Sequence, residues 1–417
     1  MHAATDIVTS THVDLSWQRA FYEDLHSHPE LSTHEERTAA RIAEKLADFN
    51  CDVTTGIGGN GIVAIFRNGD GPTALFRADF DALPVEELTG VPYASTATGT
   101  TEEGLVTKLM HACGHDMHTT ALLGACALLD ASRDRWSGTF IALFQPSEEN
   151  GMGALAMVND GLATHIPRPD VAFGQHIGPG RAGEIMSMSG PALAAADSID
   201  IVIHGKSSHG SMPHLSVDPT FVAAMIVVRL QGIVGREIPP SEFAVVTVGT
   251  LASGNTNNTI PEKARLVLNC RTYNDDVKHD LYEAIERVVQ AECAASACPK
   301  PAEITYFSHA PLTDNSPELF DRVRPVFDEL FGTASVDGTP WTASEDFSQV
   351  PRHFGTPYLF WMVGATPAAQ WDKAVAEDRV LEDIPSNHMG TFLPDYEPTV
   401  TASTNAAAAA VLAYLAK

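Results

Sequence analysis

The sequence has few basic residues for its length, and this scarcity limits its partners. Its 417 residues include 26 Lys and Arg against 53 Asp and Glu, and the formal net charge at pH 7 is −27. A chain of this charge repels polyanions, so we expect neither nucleic acid nor an anionic membrane as a partner. A small anionic substrate would therefore need a dedicated cation at its binding site.

Long apolar runs and a cysteine framework are also missing. No uninterrupted apolar stretch is long enough to span a bilayer, and the first sixteen residues lack the basic start and apolar core of a secretory signal. The six cysteines follow no disulfide-scaffold spacing, which is typical of reduced, buried thiols in a large chain. We therefore expect a cytoplasmic protein without a membrane-spanning segment.

Strand-like and helical patterns alternate over most of the chain. The chain is too long to fold around one simple hydrophobic core, so we expect a large domain and a smaller one. The alternation is typical of an α/β fold with a mostly parallel sheet. A turn at 68–71 separates the first two strands, and residues 32–35 resemble the capping box of a helix. The predicted strands are 61–67, 73–78, 138–144, 170–174 and 358–363, and the predicted helices are 17–27, 38–49, 119–131, 317–330 and 400–416.

Residues 192–308 follow a different pattern, the β-α-β-β-α-β order of a ferredoxin-like unit. We therefore predict that this segment is inserted into a main domain formed by 1–191 and 309–417. A self-contained insertion suits a lid, and we expect it to carry a dimer contact. Its predicted strands are 198–204, 243–251, 264–270 and 302–307, and its predicted helices are 221–233 and 280–295.

The densest chemical motif is His-Ala-Cys-Gly-His-Asp-Met-His at 111–118, just before an apolar helical run. Cys113 and His115 are two apart, a spacing that in extended backbone directs both side chains to one side. Thiolate and imidazole are common ligands of divalent transition metals. The alternative is a buried cysteine beside solvated histidines.

Further polar side chains follow the predicted strands. Asp79 and Asp81 follow one strand, Glu148 and Glu149 another, and His176 ends a third. In open α/β sheets, sites form at the carboxyl ends of the strands. Adjacent glutamates point in different directions, so one could bind a metal while the other moves a proton. The alternatives are a polar turn and a pair of solvated acids.

Taken together, these motifs resemble the M20 metallopeptidase family. Within it, they resemble the amidohydrolase branch of hippurate hydrolases, auxin-conjugate hydrolases and N-acyl-amino-acid aminoacylases. A series of motifs in one order is far more specific than any single motif. The matching segments are 24–31, 77–84, 111–118, 148–149, His176, 208–210, 344–347 and His388.

The resemblance implies a di-metal hydrolase domain with a mostly parallel sheet and an inserted ferredoxin-like lid or dimerisation domain. It also implies two divalent metal ions per subunit. Zinc is the first expectation, and manganese, cobalt and nickel are compatible with the same ligands. The implied ligands are Cys113, His115, Glu149, His176 and His388, with Cys113 as the bridge.

The other implied roles of the main domain concern proton transfer and orientation. Glu148 would be the general base, and Asp81 would orient a ligand histidine rather than bind metal. The wider family has a His-x-Asp pair where this chain has Asp79 and Asp81, so this position departs from that pattern. Asp116 and His118 are expected to start the helix or to orient ligands.

The inserted domain supplies the remaining implied roles. His209 would reach across from a partner subunit to stabilise the oxyanion of the transition state. Arg271 would bind the substrate carboxylate, with Asn258 as a second contact. The alternatives are an ordinary loop histidine and a surface ion pair.

The preferred function is hydrolysis of N-acyl-L-amino acids to a carboxylic acid and an amino acid. A metal-activated water would attack the amide, with Glu148 as general base. A second hypothesis is dipeptidase or carboxypeptidase-type cleavage of short peptides, which needs the same metals and the same carboxylate contact. A catalytically silent metal-binding protein is disfavoured, because it would need neither Glu148 nor His209. The acyl group and the amino acid stay open.

Overall fold

The computed structural model describes residues 2–102 and 104–417, so Met1 and Glu103 lie outside the described residues. The chain forms two compact units. The main unit comprises the residues up to Ala192, Asp314–Thr339 and Asp346–Lys417, and the inserted unit comprises Leu193–Thr313 and Pro340–Glu345.

The helices and strands are as follows. The helices of the described residues are α1 (Ala3–Ser10), α2 (Trp17–His26), α3 (Glu36–Leu46), α4 (His115–Ala131), α5 (Gly153–Asn159), α6 (Leu162–His165), α7 (Pro219–Arg236), α8 (Asp275–Ala295), α9 (Pro317–Phe331), α10 (Gln349–Phe354), α11 (Ala368–Ala376), α12 (Val380–Asp383) and α13 (Tyr396–Leu415). The strands are β1 (Asp52–Ile57), β2 (Gly61–Asn68), β3 (Thr73–Asp79), β4 (Thr98–Thr100), β5 (Val106–Lys108), β6 (Gly138–Gln145), β7 (Val171–Arg181), β8 (Ile185–Ser187), β9 (Gly190–Leu193), β10 (Ala195–His204), β11 (Ser208–His209), β12 (Ala244–Ser253), β13 (Thr259–Ile260), β14 (Lys263–Thr272), β15 (Glu303–Ala310), β16 (Thr313–Asn315), β17 (Ser335–Asp337) and β18 (Tyr358–Thr366).

The main unit is built on one large sheet with the strand order β1-β2-β6-β3-β7-β18-β8-β17. Its central strands β6, β3, β7 and β18 are mutually parallel, which confirms the predicted α/β fold. The turn at 68–71 does not join sheet neighbours, because β6 lies between β2 and β3. These three strands are almost wholly buried, so apolar packing rather than a short connection decides their order.

Two apolar helices, α4 and α13, pack against the central strands. Helix α13 has seven alanines among its 20 residues, and Ala406 to Ala410 are fully buried. Small side chains let this helix approach the sheet and α4 closely. The prediction of a packed terminal helix is confirmed.

The carboxyl ends of the parallel strands meet at one edge of the sheet. Asp79 at the end of β3 pairs in register with Gln145 at the end of β6. The prediction that His176 ends a strand is wrong, because β7 continues to Arg181. The strand continues because β18 still pairs with it at His176, beyond its last pair with β3 at Gly174.

The predicted capping box at 32–35 does not form. Helix α3 begins at Glu36 without a side-chain cap. The buried carboxylate of Glu35 instead accepts hydrogen bonds from the backbone N–H groups of Thr33 and Ser147, each at 2.9 Å. Glu35 therefore fixes the loop that follows β6.

The inserted unit has an antiparallel sheet of order β12-β14-β10-β15, with α7 and α8 packed on one face. This is the ferredoxin-like arrangement expected from its element order. The unit extends to Thr313 rather than to residue 308, and it includes Pro340–Glu345. The sequence pattern did not indicate that residues 340–345 belong to the inserted unit.

Helix α7 is long and apolar enough, by length and composition, to cross a membrane. Its buried side chains, among them Val222, Ile226 and Leu230, belong to the core of the inserted unit. Core helices of water-soluble proteins can be equally long and apolar, so the composition of α7 alone does not indicate a membrane span.

Candidate metal centre

The motif at 111–118 turns sharply between its cysteine and the next histidine. Gly114 has φ +81°, and a Cβ at this position would lie 2.3 Å from Cδ1 of Ile177. The turn therefore requires glycine. The expectation that Cys113 and His115 share extended backbone is wrong, because this turn makes His115 the first residue of α4.

His115 is fully buried, with one ring nitrogen bonded and the other free. Nδ1 lies 3.1 Å from Oδ1 of Asp81, and a carboxylate acceptor places a hydrogen on that nitrogen. Nε2 is buried and has no hydrogen-bond partner among the described residues. A polar atom left in this state is costly unless a ligand meets it.

Both glutamates after β6 approach this free nitrogen. Oε2 of Glu148 lies 3.8 Å and Oε1 of Glu149 lies 3.7 Å from Nε2 of His115. The expectation that they point in different directions is therefore wrong. Ser147 has φ +54°, and the Glu149 backbone N–H donates to Oδ2 of Asp81 at 3.0 Å. This bend in the loop brings both carboxylates to one point.

Cys113 belongs to a group that contains a distant histidine. The ligand atoms of Cys113, Glu149 and His388 lie within 4.8 Å of one another, and Nε2 of His388 is 3.3 Å from Oε2 of Glu149. His388 has φ +71°, a strained conformation of the kind that functional sites hold. Nδ2 of Asn387 approaches Sγ of Cys113 at 3.7 Å, an arrangement that favours the thiolate.

His176 presents a ring nitrogen to the same sulfur. Its Nε2 lies 3.4 Å from Sγ of Cys113, and its Nδ1 lies 2.7 Å from the carbonyl oxygen of Ile177. Because a carbonyl only accepts, Nδ1 carries the hydrogen and the lone pair of Nε2 faces the sulfur. Burial and the neighbouring His118 lower the pKa of His176, so the ring is neutral, as a metal ligand must be.

His118 lies in the same cluster, but hydrogen bonds occupy both of its ring nitrogens. Nδ1 lies 2.6 Å from Oδ1 of Asp79, and Nε2 accepts the backbone N–H of Ile177 at 2.9 Å. A nitrogen that accepts this bond has no second lone pair for a metal. The geometry therefore assigns His118 to fixing β7 and Asp79 in place.

A buried arginine, which the sequence analysis did not single out, balances the charge of Asp79. Nη1 of Arg77 donates to Oδ2 of Asp79 at 2.7 Å, and Nη2 donates to Oδ1 of Asp346 at 3.1 Å. Burial opposes ionisation of Asp79, but His115 and Arg77 outweigh it and hold its pKa well below the usual range. An arginine inside an otherwise apolar strand was the available signal.

The protonation of the cluster tests whether it fits a metal. Burial raises the pKa of Glu149 and, together with nearby carboxylates, that of Cys113. Burial lowers the pKa of His115, but Asp79 and Asp81 outweigh it and the net shift is upward. Without a cation, protons would therefore occupy the positions that a metal needs free, and a divalent cation replaces them.

The donor atoms also fit in type and spacing. The cluster offers one sulfur, imidazole nitrogens and carboxylate oxygens, the donor set of zinc and related divalent ions. Donor atoms lie about 2.0–2.3 Å from a bound zinc ion. Two donors of one tetrahedral ion are therefore separated by a distance similar to the 3.7 Å between Nε2 of His115 and Oε1 of Glu149. The residues present therefore fit a metal centre.

In the inserted unit, the structure brings His209 and Asn258 together. Strand β11 pairs with β13, and the Gly210 N–H donates to the Asn258 carbonyl at 2.6 Å. Nδ1 of His209 accepts the Ser211 N–H at 3.2 Å. The hydrogen of the neutral ring is therefore on Nε2, which is left as a donor.

Arg271 lies on the sheet face opposite α7 and α8. Its Nη1 donates to the Thr342 carbonyl at 2.7 Å, and its Nε donates to Oδ1 of Asn269 at 3.1 Å. Within residues 2–102 and 104–417, Nη2 has no hydrogen-bond partner. These two bonds hold the guanidinium group in place, and the N–H donors of Nη2 are left available for a ligand.

Comparison with known proteins supports the interpretation of this cluster. A model of peptidase family M20/M25/M40 matches residues 75–385. The chain belongs to this family. Its members' hydrolysis of amide bonds confirms the predicted class of carbon–nitrogen hydrolase.

Among its relatives, the M20 chain is 35% identical over 338 residues to the N-acetyl-L-cysteine deacetylase of Bacillus subtilis, covering 81% of this chain and 78% of that one. It is 33% identical over 350 residues to thermostable carboxypeptidase 2 of Saccharolobus solfataricus, covering 82% and 85%. Among solved structures it matches the YXEP protein of Bacillus subtilis, a dinuclear metal binding peptidase from the M20 family. That match has a TM-score of 0.77 and 27% identity, and it covers 95% and 98% of the two chains.

Proposed function

We propose that this M20 hydrolase cleaves the amide bond of N-acyl-L-amino acids, releasing a carboxylic acid and an amino acid. The observation that carries the proposal is the pair of buried, unpartnered atoms Nε2 of His115 and Oε1 of Glu149, with Glu148 beside them. The relative that deacetylates N-acetyl-L-cysteine supports this substrate class.

We further propose that two divalent ions, zinc first among them, bind at this cluster. The ligands would be Cys113, His115, Glu149, His176 and His388. When bound, such ions increase the acidity of water and polarise a carbonyl oxygen. Asp81 supports this arrangement, because its two oxygens meet Nδ1 of His115 and the backbone N–H of Glu149.

Glu148 is the proposed proton carrier. Its side chain is 11% exposed, so it can meet both solvent and the buried ligands. In the proposed reaction its carboxylate takes a proton from the attacking water and returns it to the leaving nitrogen. Deep burial would favour a protonated, inactive carboxyl group, so partial exposure suits a base.

Three residues of the inserted unit are proposed to bind the substrate. Nε2–H of His209 would donate to the oxyanion that forms at the attacked carbonyl. Arg271, with its free Nη2, would bind the α-carboxylate, and Asn258 would make a second contact. A dedicated arginine is needed because the chain's charge of −27 repels an anionic substrate.

We also propose a homodimer formed through the inserted unit. Helix α7 exposes Phe221 and Val228, which are 60% and 65% exposed and lie two turns apart on one side. Strand β12, next to α7, ends the sheet order and has no strand on its outer side among the described residues. An apolar stripe beside an open strand edge is a surface that a second copy can cover.

The test compares N-acyl amino acids with free dipeptides. The protein would be freed of metal, reconstituted with Zn²⁺ or Mn²⁺, and assayed for release of amino acid from N-acetyl-L-amino acids and from dipeptides with a free amine. The proposal expects a higher kcat/KM on the blocked substrates. Preference for the free amine would instead favour the peptidase alternative, which the carboxypeptidase relative supports. A cytoplasmic location stays a prediction.

A further inference from the structure

The inserted unit holds a cavity of about 570 Å³ that includes none of the proposed metal ligands. It lies between α8 and β15. Its volume is that of sites that hold small organic molecules. Its walls include the carboxylates of Asp197, Glu283 and Glu286, the rings of Tyr282 and Tyr306, and the histidines His279 and His309.

A β-bulge shapes this cavity. Tyr306 pairs with Ile199 of β10, and His309 pairs with Asp197, so that Ser308 is an extra residue in β15. In an unbroken strand Tyr306 and His309 would face opposite sides, but the extra residue brings them to one face. Ser308 has φ +51°, a conformation that costs a non-glycine residue energy and is concentrated at functional sites.

Hydrogen bonds hold the two tyrosine rings in place. The hydroxyl of Tyr282 donates to Oδ2 of Asp197, and that of Tyr306 donates to Oε1 of Glu286 at 2.8 Å. The ring centroids are 5.2 Å apart. Tyr306 is 40% exposed, so part of its ring can meet a ligand. The rings are therefore ordered before any ligand arrives, which lowers the entropy cost of binding.

The charge of the cavity is negative. Asp197 is compensated by His309 and by Lys278, whose Nζ lies 2.7 Å from Oδ2 and 5.6 Å from the centroid of the Tyr282 ring. Glu283 lies 3.3 Å from His279, and Glu286 is bonded to a neutral phenol. The cavity lining contains no lysine or arginine among the described residues. Its walls therefore favour a cation over an anion.

We propose that this cavity binds an organic cation, an ammonium group carried on a small apolar body. The ammonium would lie beside Glu283 and Glu286 and over the partly exposed ring of Tyr306, which the apolar part would also contact. A bare metal ion fits less well, because no cluster of closely spaced ligand atoms in the described chain includes these residues. Binding here does not depend on the proposed reaction.

The test uses choline as the probe and 3,3-dimethylbutan-1-ol as its neutral isostere, with binding to the intact protein followed by ligand-observed NMR. Saturable choline binding at least about tenfold tighter than that of the isostere is expected, since only the charge differs. Absence of saturable binding, or equal binding of the two probes, would overturn the proposal. Displacement of choline by Mn²⁺ at equimolar concentration would also overturn it, in favour of a metal site.

Variants locate the binding. Glu286→Gln and Glu283→Gln should each weaken choline binding about fivefold. Glu283 is well exposed, so its replacement tests the site without a risk to folding. Glu242→Gln makes the same charge change at an exposed position outside the cavity and should leave binding unchanged. Equal weakening by all three would indicate attraction to the general negative charge and would refute a site.

Discussion

Nε2 of His115 and Oε1 of Glu149 lie 3.7 Å apart, both buried and both without a hydrogen-bond partner among the described residues. Asp81 holds both residues in place, because its carboxylate meets Nδ1 of the histidine and the backbone N–H of the glutamate. A folded chain rarely leaves two facing polar atoms unsatisfied. A cation bound between them, as proposed, would remove this cost, because it would meet both lone pairs at once.

Glu148→Gln should retain metal but lower kcat by about 10²–10⁴, because the amide can occupy the same space yet cannot take a proton. Metal content would be measured by elemental analysis beside the rate. Cys113→Ala is the matched contrast and should lose metal as well as activity. Loss of metal in Glu148→Gln would make Glu148 a ligand instead of a base.

Asp81→Asn should weaken metal binding by about 10–100-fold, since it disturbs both His115 and the Glu149 backbone. Competition with a chelator measures this affinity directly. Asp52→Asn, at an exposed position paired with Arg67, is the control and should bind metal normally. Unchanged affinity in Asp81→Asn would mean that the carboxylate has no part in holding the ligands.

Arg271→Ala should lower kcat/KM for an N-acyl amino acid by about 10–100-fold, through loss of a charge-assisted bond to the carboxylate. The corresponding N-acyl amino acid amide lacks that charge and should lose far less. Arg265→Ala removes a positive charge from the same strand, where Arg265 pairs with Asp200, and should affect neither substrate. An equal loss on acid and amide would assign Arg271 a structural role.

His209→Ala and Glu148→Gln subunits, each inactive alone, should complement one another in heterodimers. One of the two sites then holds both intact groups, so about half of the wild-type activity is expected. Tandem affinity tags would isolate the heterodimer before the assay. Inactive heterodimers of verified composition would place His209 in the site of its own subunit or outside catalysis.

Asp197→Asn should destabilise the protein at neutral pH and less so in acid. Burial opposes ionisation of Asp197, but bonds from His309, Lys278 and Tyr282 outweigh it, so its pKa is lowered. A carboxyl group with a lowered folded pKa adds stability above its unfolded pKa of about 3.9 and loses it as the pH falls below that value.

The measurement for this prediction is the melting temperature of wild type and variant between pH 7 and pH 3. The melting temperature of the variant should be lower by about 2–4 °C for each kcal/mol of unfolding free energy that it loses. This difference should become smaller as the pH falls. Asp200→Asn, on the same strand with a more exposed ion pair, should show almost no gap. A gap for Asp197→Asn that is constant with pH would show that its charge is not the stabilising feature.

Local chemistry was readable from the sequence. The motif at 111–118, the glutamates at 148 and 149, and the order of strands and helices are local features. Residue type and hydrophobic period indicate them without knowledge of distant contacts. The family, the α/β fold and the hydrolase class followed from these patterns, and all three are confirmed.

The tertiary structure decided what depends on contacts between distant segments. The position of β6 between β2 and β3 and the continuation of β7 past His176 follow from strand pairing. Hydrogen bonds to the distant residues Glu35 and Asp81 hold the loop that carries Glu148 and Glu149. Bonds to Asp79 and to the Ile177 N–H occupy both ring nitrogens of His118 and remove it from the possible ligands. Such bonds leave no periodic signal in the sequence, because each joins groups that become neighbours only once the sheet has formed.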